Sequence, residues 1–321
     1  MNNLPVERIK LIFNPLSGRS GAFPSLLQQV ICELQKLNYI PEIYLTEPDV
    51  DIEPVLNMAL KQKIRLFVVC GGDGTIETVA RWIIGKRATL GIIPAGTQNN
   101  LSLSLGIPTE IKTAAALLRS GQRSKVDIGI AHCGNQSVPF LEVCSIGLFS
   151  AIMDSADNLQ KGDLASLGYI MNTLTTFPSA SIKLVLDKKT TTYLQGHVAM
   201  VANLPYFGLN YRLSPNNPFD DGIMDVLVFT DFSKLELVGN VLQNAEGEGK
   251  DKRIQRFRAR RLIIESEPTL PITVDGTALG STPVSITTRR KALSVITGLP
   301  TQGQPRWGFL RNINIFKFFR R

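Results

Sequence analysis

Two rhythms of apolar and polar positions divide this chain. Up to Asp127, short apolar runs alternate with stretches whose apolar residues recur every three or four positions. Strands are expected at Arg8–Phe13, Ile40–Leu45, Leu66–Cys70 and Thr89–Ile93. Helices are expected at Phe23–Leu37, Asp51–Gln62 and Ile76–Ile84, with a short one at Asn99–Leu105. This order implies a mainly parallel sheet with helices on both faces. After Asp127 the runs shorten, often alternate, and are separated by turn residues. Ile182–Asp187, Gln195–Asn203, Ile223–Phe229, Leu262–Glu265, Ile272–Val274, Val284–Thr287 and Leu293–Thr297 predict an antiparallel β domain, a sandwich. Helical segments within Asp154–Pro178 interrupt it, either capping a cleft or packing on the sheet. The expected division is an α/β domain over 1–127, a β-sandwich over 128–305 and a tail over 306–321.

Ligands of open α/β sheets bind beyond the carboxyl ends of strands, and three loops there carry unusual chemistry. Gly71-Gly72-Asp73-Gly74-Thr75 follows the third strand directly. Its glycines adopt backbone conformations closed to other residues and let the chain pass close to a polyphosphate. The helix behind it aims free N–H groups into the same loop. Asp73 stands where it can hold Mg²⁺ or a hydroxyl, and no Walker lysine accompanies it. Asn14-Pro15-Leu16-Ser17-Gly18 follows the first strand, and Asn14 and Ser17 can donate to phosphate; alone, it is also an ordinary strand–helix turn. Pro94-Ala95-Gly96-Thr97-Gln98-Asn99-Asn100 closes the fourth strand. Thr97 or Asn99 can cap the next helix, and capping is compatible with phosphate binding. Their common location argues for one composite nucleotide-phosphate site.

Together these motifs resemble the catalytic region of the diacylglycerol kinase family, which includes sphingosine, ceramide and bacterial lipid kinases. Val126-Asp127-Ile128-Gly129, Ser145-Ile146-Gly147-Leu148, the run from Asp220 to Val226, and Val274-Asp275-Gly276 look like later stretches of that family. The resemblance implies a phosphofructokinase-like or NAD kinase-like α/β nucleotide domain followed by an antiparallel β-sandwich lipid domain, with the active site between them. The implied activity moves the γ-phosphoryl group of ATP to a lipid hydroxyl, on a diacylglycerol-like acceptor. Carried onto this chain, ATP contacts fall on Asn14, Pro15, Leu16, Ser17, Gly18 and Thr46. Further contacts fall on Gly71, Gly72, Asp73, Gly74, Thr75, Ile76, Glu77, Thr97 and Asn99. A structural Mg²⁺ falls near the Asp-Asp-Gly turn, on Asp221 with the backbone oxygens of Pro218 and Ile223; a tight turn with solvated acids is the plainer alternative there.

The chain departs from the family in two places. Glu77 and Thr78 occupy positions where the family usually has Asn and Glu. The Asp-Gly-Glu motif of the bacterial enzymes, whose Glu is assigned as general base, reads Asp275-Gly276-Thr277 here. A threonine hydroxyl cannot accept a proton near neutral pH. Asp275, on the same face of an extended chain as Thr277, and Asp73 are the candidates to act instead. Three readings stay open: a lipid kinase, a nucleotide- or lipid-binding regulator that has lost catalysis, and a NAD kinase, which shares Gly-Gly-Asp-Gly. The Asn-Pro-x-Ser-Gly loop fits lipid kinases better.

Composition narrows the partners. The 321 residues carry a net charge of +8 and are 44% hydrophobic. Residues 1–127 hold 14 basic and 11 acidic side chains, 128–305 hold 16 of each, and the last sixteen hold five basic and no acidic ones. This suits anionic ligands and an anionic membrane surface. Lys250–Arg261 contains seven basic residues and one acidic; if extended, it puts Arg256, Arg258 and Arg260 on one face. No aromatic–glycine motif accompanies these arginines, so nucleic acid is not an expected partner. The tail mixes Trp307, Phe309, Phe316, Phe318 and Phe319 with arginine and lysine, a composition suited to a membrane interface. Four cysteines without paired spacing are expected as buried reduced thiols, and His132 and His197 offer little to a zinc site. No export signal or membrane span is read. A cytoplasmic protein peripherally associated with membranes is expected, and a homodimer is compatible with the sequence.

Overall fold

The computed structural model describes residues 5–18, 23–160, 163, 165–207, 211, 212, 218–234, 236, 237 and 251–298. Strand β1 (Glu7–Phe13) lies between β2 (Tyr39–Leu45) and β3 (Leu66–Gly71), and β4 (Thr89–Pro94) follows β3. All four are parallel. Strands β3 and β4 are buried at every position. This is why their sequences lack alternation: helices cover both faces. Helices α1 (Phe23–Lys36) and α5 (Ile111–Ser120) pack together, and α3 (Asp73–Ile83) lies on β3 and β4. Helix α2 (Glu53–Lys61) is shorter than its apolar period and α4 (Asn100–Ser104) is a single turn.

The sheet does not end at β4. Strand β18 (Val284–Thr297) runs parallel beside it, with Val295 opposite Leu90, and antiparallel to β5 (Gln122–Cys133) and β15 (Arg261–Glu267). Strands β8 (Ala180–Leu186) and β9 (Thr190–Gly196) extend the antiparallel half, and β6 (Gln136–Phe140) pairs with β5. A second, wholly antiparallel sheet has the order β14 (Ile254–Ala259), β13 (Met224–Phe229), β10 (Val198–Ala202), β7 (Val143–Gly147), β16 (Pro271–Val274), β17 (Thr277–Ser281). The two sheets face each other across a core that includes Ile146, Val201, Val226, Leu262 and Ile286. Helix α6 (Leu148–Gln160) and α7 (Ala165–Thr176) cover the outer face, where Phe149 and Leu174 meet Met200 and Phe229. The architecture is the expected one, an α/β unit followed by a β-sandwich, with shared strands joining them.

Two expected strands differ. Gln195–Asn203 divides into β9 and β10, because the chain passes from one sheet to the other at Gly196–His197. Gly196 lies so close to the Phe229 carbonyl that a Cβ would stand 2.4 Å from it. Val284–Thr287 and Leu293–Thr297 form one strand, interrupted by a bulge after Arg289. Its Lys291 has φ +51° and donates its N–H to Asp127 Oδ1 at 2.6 Å. Buried Asp127 also accepts the Gly222 N–H, at 2.5 Å, so one carboxylate ties the bulge to the Asp-Asp-Gly turn. The boundary expected at 127 falls inside β5.

Cys70 and Cys144 are buried thiols, whereas Cys32 is exposed on α1 and Cys133 is half-buried. Alternation along β14 leaves Arg256 and Arg258 exposed and tucks Phe257 against the sandwich core. No helix among the described residues is long and apolar enough to cross a membrane. The expectation for the tail lies outside the described residues.

Candidate active site

The carboxyl ends of β1, β3 and β4 bring the three loops together. Asn14 Nδ2 donates to Thr75 Oγ1 at 2.8 Å, and the Gly72 N–H donates to Ser17 Oγ at 3.1 Å. The Ala95 N–H donates to the Gly71 carbonyl at 2.9 Å. Gly18 has φ +80°, and a Cβ there would lie 2.8 Å from the Ala95 carbonyl oxygen. Asn99, at φ +56°, ties the third loop to itself, accepting from the Gly96 N–H and donating to the Gly96 carbonyl.

Helix α3 begins at Asp73, three residues before the first apolar position of its period. Gly72 is its N-cap and supplies no side chain; its carbonyl takes the Thr75 and Ile76 N–H groups. The Asp73 and Gly74 N–H groups are therefore left for a ligand. Beside them opens a cavity of about 270 Å³ lined by Asn14, Leu16, Thr46, Glu47, Pro48, Val50, Ile52, Gly74, Thr75 and Thr78. Apolar Leu16, Pro48, Val50 and Ile52 suit a base, and the helix start suits phosphate. Of the residues expected at ATP, Asn14, Leu16, Thr46, Gly74 and Thr75 line this cavity. Pro15, Ser17, Gly18, Gly71 and Gly72 lie in the loops beside it. Thr97 is exposed in the third loop, Asn99 is buried in it, and Ile76 is fully buried in the core.

Glu77 faces elsewhere. Asp73, Glu77 and Arg81 stand one turn apart along α3 and meet the sandwich across a seam. Arg81 Nη2 lies 3.3 Å from Asp275 Oδ2 and 3.6 Å from Glu77. Asp275 and Gly276 form the two-residue turn between β16 and β17, with φ values of +44° and +79°. The turn buries the Asp275 side chain fully, and its carboxylate accepts the N–H groups of Leu141 (2.7 Å), Glu142 (2.9 Å) and Val143 (3.0 Å). Thr277 starts β17 with its side chain exposed. The Asp73 carboxylate accepts from the Asn100 and Leu101 N–H groups, each at 3.2 Å, capping α4 from a distance in sequence.

Burial dominates the electrostatics of the seam. It raises the Asp73 pKa against the pull of its amide donors, and the Asp275 pKa against Arg81. Glu77 is pushed well above the ordinary carboxylate range by burial and then by Asp275. Glu142, on the β6–β7 connection, behaves likewise through burial and the charges of Asp73, Glu77 and Asp275. Glu142 was not foreseen, although a lone acid in the apolar run Leu141–Ser150 was a signal.

The resident groups implied by the resemblance fit unequally. The apolar lining of the cavity and the bare helix start have the chemistry an adenine nucleotide needs. The Asp221 site does not suit a cation, since Oδ2 pairs with Arg258 at 2.7 Å and Oδ1 accepts the Ile223 N–H at 2.9 Å. Among the described residues no three His, Cys, Asp or Glu side chains are placed to hold a metal ion. A Mg²⁺ at this site would rest largely on nucleotide oxygens and water, as Mg²⁺ commonly does.

Comparison with known proteins matches both units of the chain. Residues 8–131 match the diacylglycerol kinase catalytic domain, and residues 143–297 match the YegS C-terminal NAD kinase beta sandwich-like domain. A diacylglycerol kinase of Staphylococcus carnosus is 25% identical over 91% of this chain and 95% of its own length. One of Bacillus subtilis is 26% identical over 87% of this chain and 92% of its own. The crystal structure of a diacylglycerol kinase from Bacillus anthracis shares the fold, with a TM-score of 0.69 at 23% identity, covering 91% of this chain and 97% of that one. With both of its domains matched in order and its phosphate loops assembled on one sheet edge, the chain belongs to the diacylglycerol kinase family of lipid kinases.

Proposed function

We propose that this protein transfers the γ-phosphoryl group of ATP to the hydroxyl of a diacylglycerol-like lipid. The observation that carries this reading is the convergence of the Asn14–Gly18, Gly71–Thr75 and Pro94–Asn100 loops at the bare start of α3, beside a cavity of about 270 Å³. Bound ATP with Mg²⁺ supplies the phosphoryl group and the counter-charge for the leaving oxygen. The Asp73 and Gly74 N–H groups orient the phosphates, and Asn14 and Ser17 hold the loops that frame them. Leu16, Pro48, Val50 and Ile52 exclude water from the base. Asp73 holds the start of α4 against the glycine loop, a positioning role. The lipid approaches from the sandwich side, through the seam that α3 lines. Membrane association is supported by α7, which exposes Leu167, Tyr169 and Met171 while burying Ser166 and Thr173.

Transfer of ³²P from labelled ATP, with Mg²⁺, to lipids in anionic vesicles tests the reading, with NAD included as a competing acceptor. A labelled diacylglycerol product, lost when Asp73→Ala is introduced, is expected. Labelling of NAD alone would refute it. A second reading, a nucleotide- and lipid-binding regulator, is favoured by the exposed Thr277 hydroxyl and by an Asp275 carboxylate already committed to three amides. ATP binding without any labelled lipid supports that one.

A further inference from the structure

The seam contains four carboxylates, and three of them have work to do. Asp275 holds three amides, Asp73 holds two, and Glu77 lies beside Arg81. Glu142 is different. Its main chain is structural: the N–H donates to Asp275, and the carbonyl accepts from the Asn203 and Leu204 N–H groups. The donor nearest its side chain is the Leu101 N–H, which already bonds Asp73. The residue is 5% exposed, it is the only charged residue in the buried run Leu141–Ser150, and its Oε1 has no hydrogen-bond partner. A buried acceptor without a donor is rare and costly, and calls for an explanation.

The missing partner is an O–H or N–H donor. The Glu142 carboxyl lies where the sandwich meets the start of α3 and α4: its own N–H bonds Asp275, and the charges of Asp73, Glu77 and Asp275 and the Leu101 N–H all act on it. An acceptor alcohol entering the seam toward the phosphate loops carries the donor that Oε1 lacks. We infer that Glu142 is the catalytic proton acceptor for the lipid hydroxyl, filling the role that Thr277 cannot perform. The inference rests on the lipid-kinase reading above. In the step, the alcohol oxygen bonds to the γ-phosphorus, and the bond from that phosphorus to the bridging oxygen breaks. The bridging oxygen keeps the electron pair and leaves with ADP, and the alcohol proton passes to Glu142 Oε1. Oε1 is buried in the seam, so the step places the acceptor hydroxyl inside it. Burial first, and then the charges of Asp73, Glu77 and Asp275, raise the Glu142 pKa.

The test compares the full-length parent with Glu142→Gln and with Glu142→Gln/Thr277→Glu, using ATP, Mg²⁺ and diacylglycerol vesicles. Glutamine keeps the volume and removes the proton acceptor, so kcat should fall ~100-fold or more while the KM for ATP stays within about threefold. The melting temperature should not fall, since glutamine keeps the volume and Oε1 has no hydrogen bond to lose. The parent kcat should rise with pH through the coupled titration of Glu142 with Asp73, Glu77 and Asp275; that limb should vanish in Glu142→Gln. Glutamate at exposed position 277 should restore at least about tenfold, with the acidic limb moved to lower pH. Parental kcat and pH profile in Glu142→Gln overturn the inference and leave the kinase reading intact. A melting temperature that falls together with kcat, without rescue at 277, assigns Glu142 to structure and also overturns it. A parent inactive toward lipids overturns both.

Discussion

Gly96 is the most crowded glycine of the phosphate loops. A Cβ there would lie 2.5 Å from the Gly72 Cα and 3.0 Å from Asn99 Oδ1, so alanine must push one loop off the other. Gly96→Ala should weaken ATP binding by about tenfold and cost about 1–3 kcal/mol of stability, the usual scale for overpacking; nucleotide titration and denaturant unfolding check both. Arg81 gives the clearest electrostatic case, because among the described residues it is the cation paired with both Glu77 and Asp275. Removing one partner of a fully buried pair costs about 3–5 kcal/mol. Arg81 is 26% exposed, so Arg81→Leu should cost less, about 2 kcal/mol at neutral pH. The sign with pH follows from the raised carboxyls. A group whose folded pKa lies above its unfolded value stabilises fully below the unfolded value and loses that contribution as pH rises. Losing Arg81 lifts both carboxyls further, so parent and variant unfolding midpoints should converge as pH falls toward 4. The phosphate-loop residues were legible because each motif is contiguous. The partners of Arg81 and Glu142 were not, since Arg81 and Asp275 stand 194 positions apart and no local pattern joins them.

At the scale of elements, helical period gave the core face of α3, and the same period puts Asp73, Glu77 and Arg81 in one row. The start of α3 was read three residues late because Asp73, Gly74 and Thr75 carry no apolar signal. Helix α7 inverts the usual rule. It bears no charged residue, buries Ser166 and Thr173 at 8% exposure each, and leaves Tyr169 54% exposed. Such a face suits the interfacial layer of a bilayer. Changing Leu167 and Met171 together to Ser should lower binding to diacylglycerol-containing vesicles by about tenfold or more, given ~1.5–3 kcal/mol for each fully buried side chain. The melting temperature should stay constant, since neither side chain supports the core. Co-sedimentation with vesicles, beside thermal unfolding, decides it; unchanged sedimentation would remove α7 from the membrane contact.

Across the whole molecule, the succession of a helix–strand half and a strand-rich half was readable from periodicity, because each half buries its own core. How the halves share strands was not, since a strand's apolar pattern is silent about its neighbour. Strand β18 shows the difference. Its bulge at Arg289–Lys291 looked like the gap between two strands, whereas Asp127 holds that bulge so that one strand can serve both units. This has a consequence for the order in which the chain is made. Residues 8–131 leave the ribosome well before Leu293–Thr297, and β4 keeps a bare edge until those residues arrive beside it. For most of its synthesis the nucleotide half is an unfinished sheet with an apolar, unpaired border, the kind of edge that recruits strands from other chains. The last of the described strands to emerge is the one that closes the first sheet.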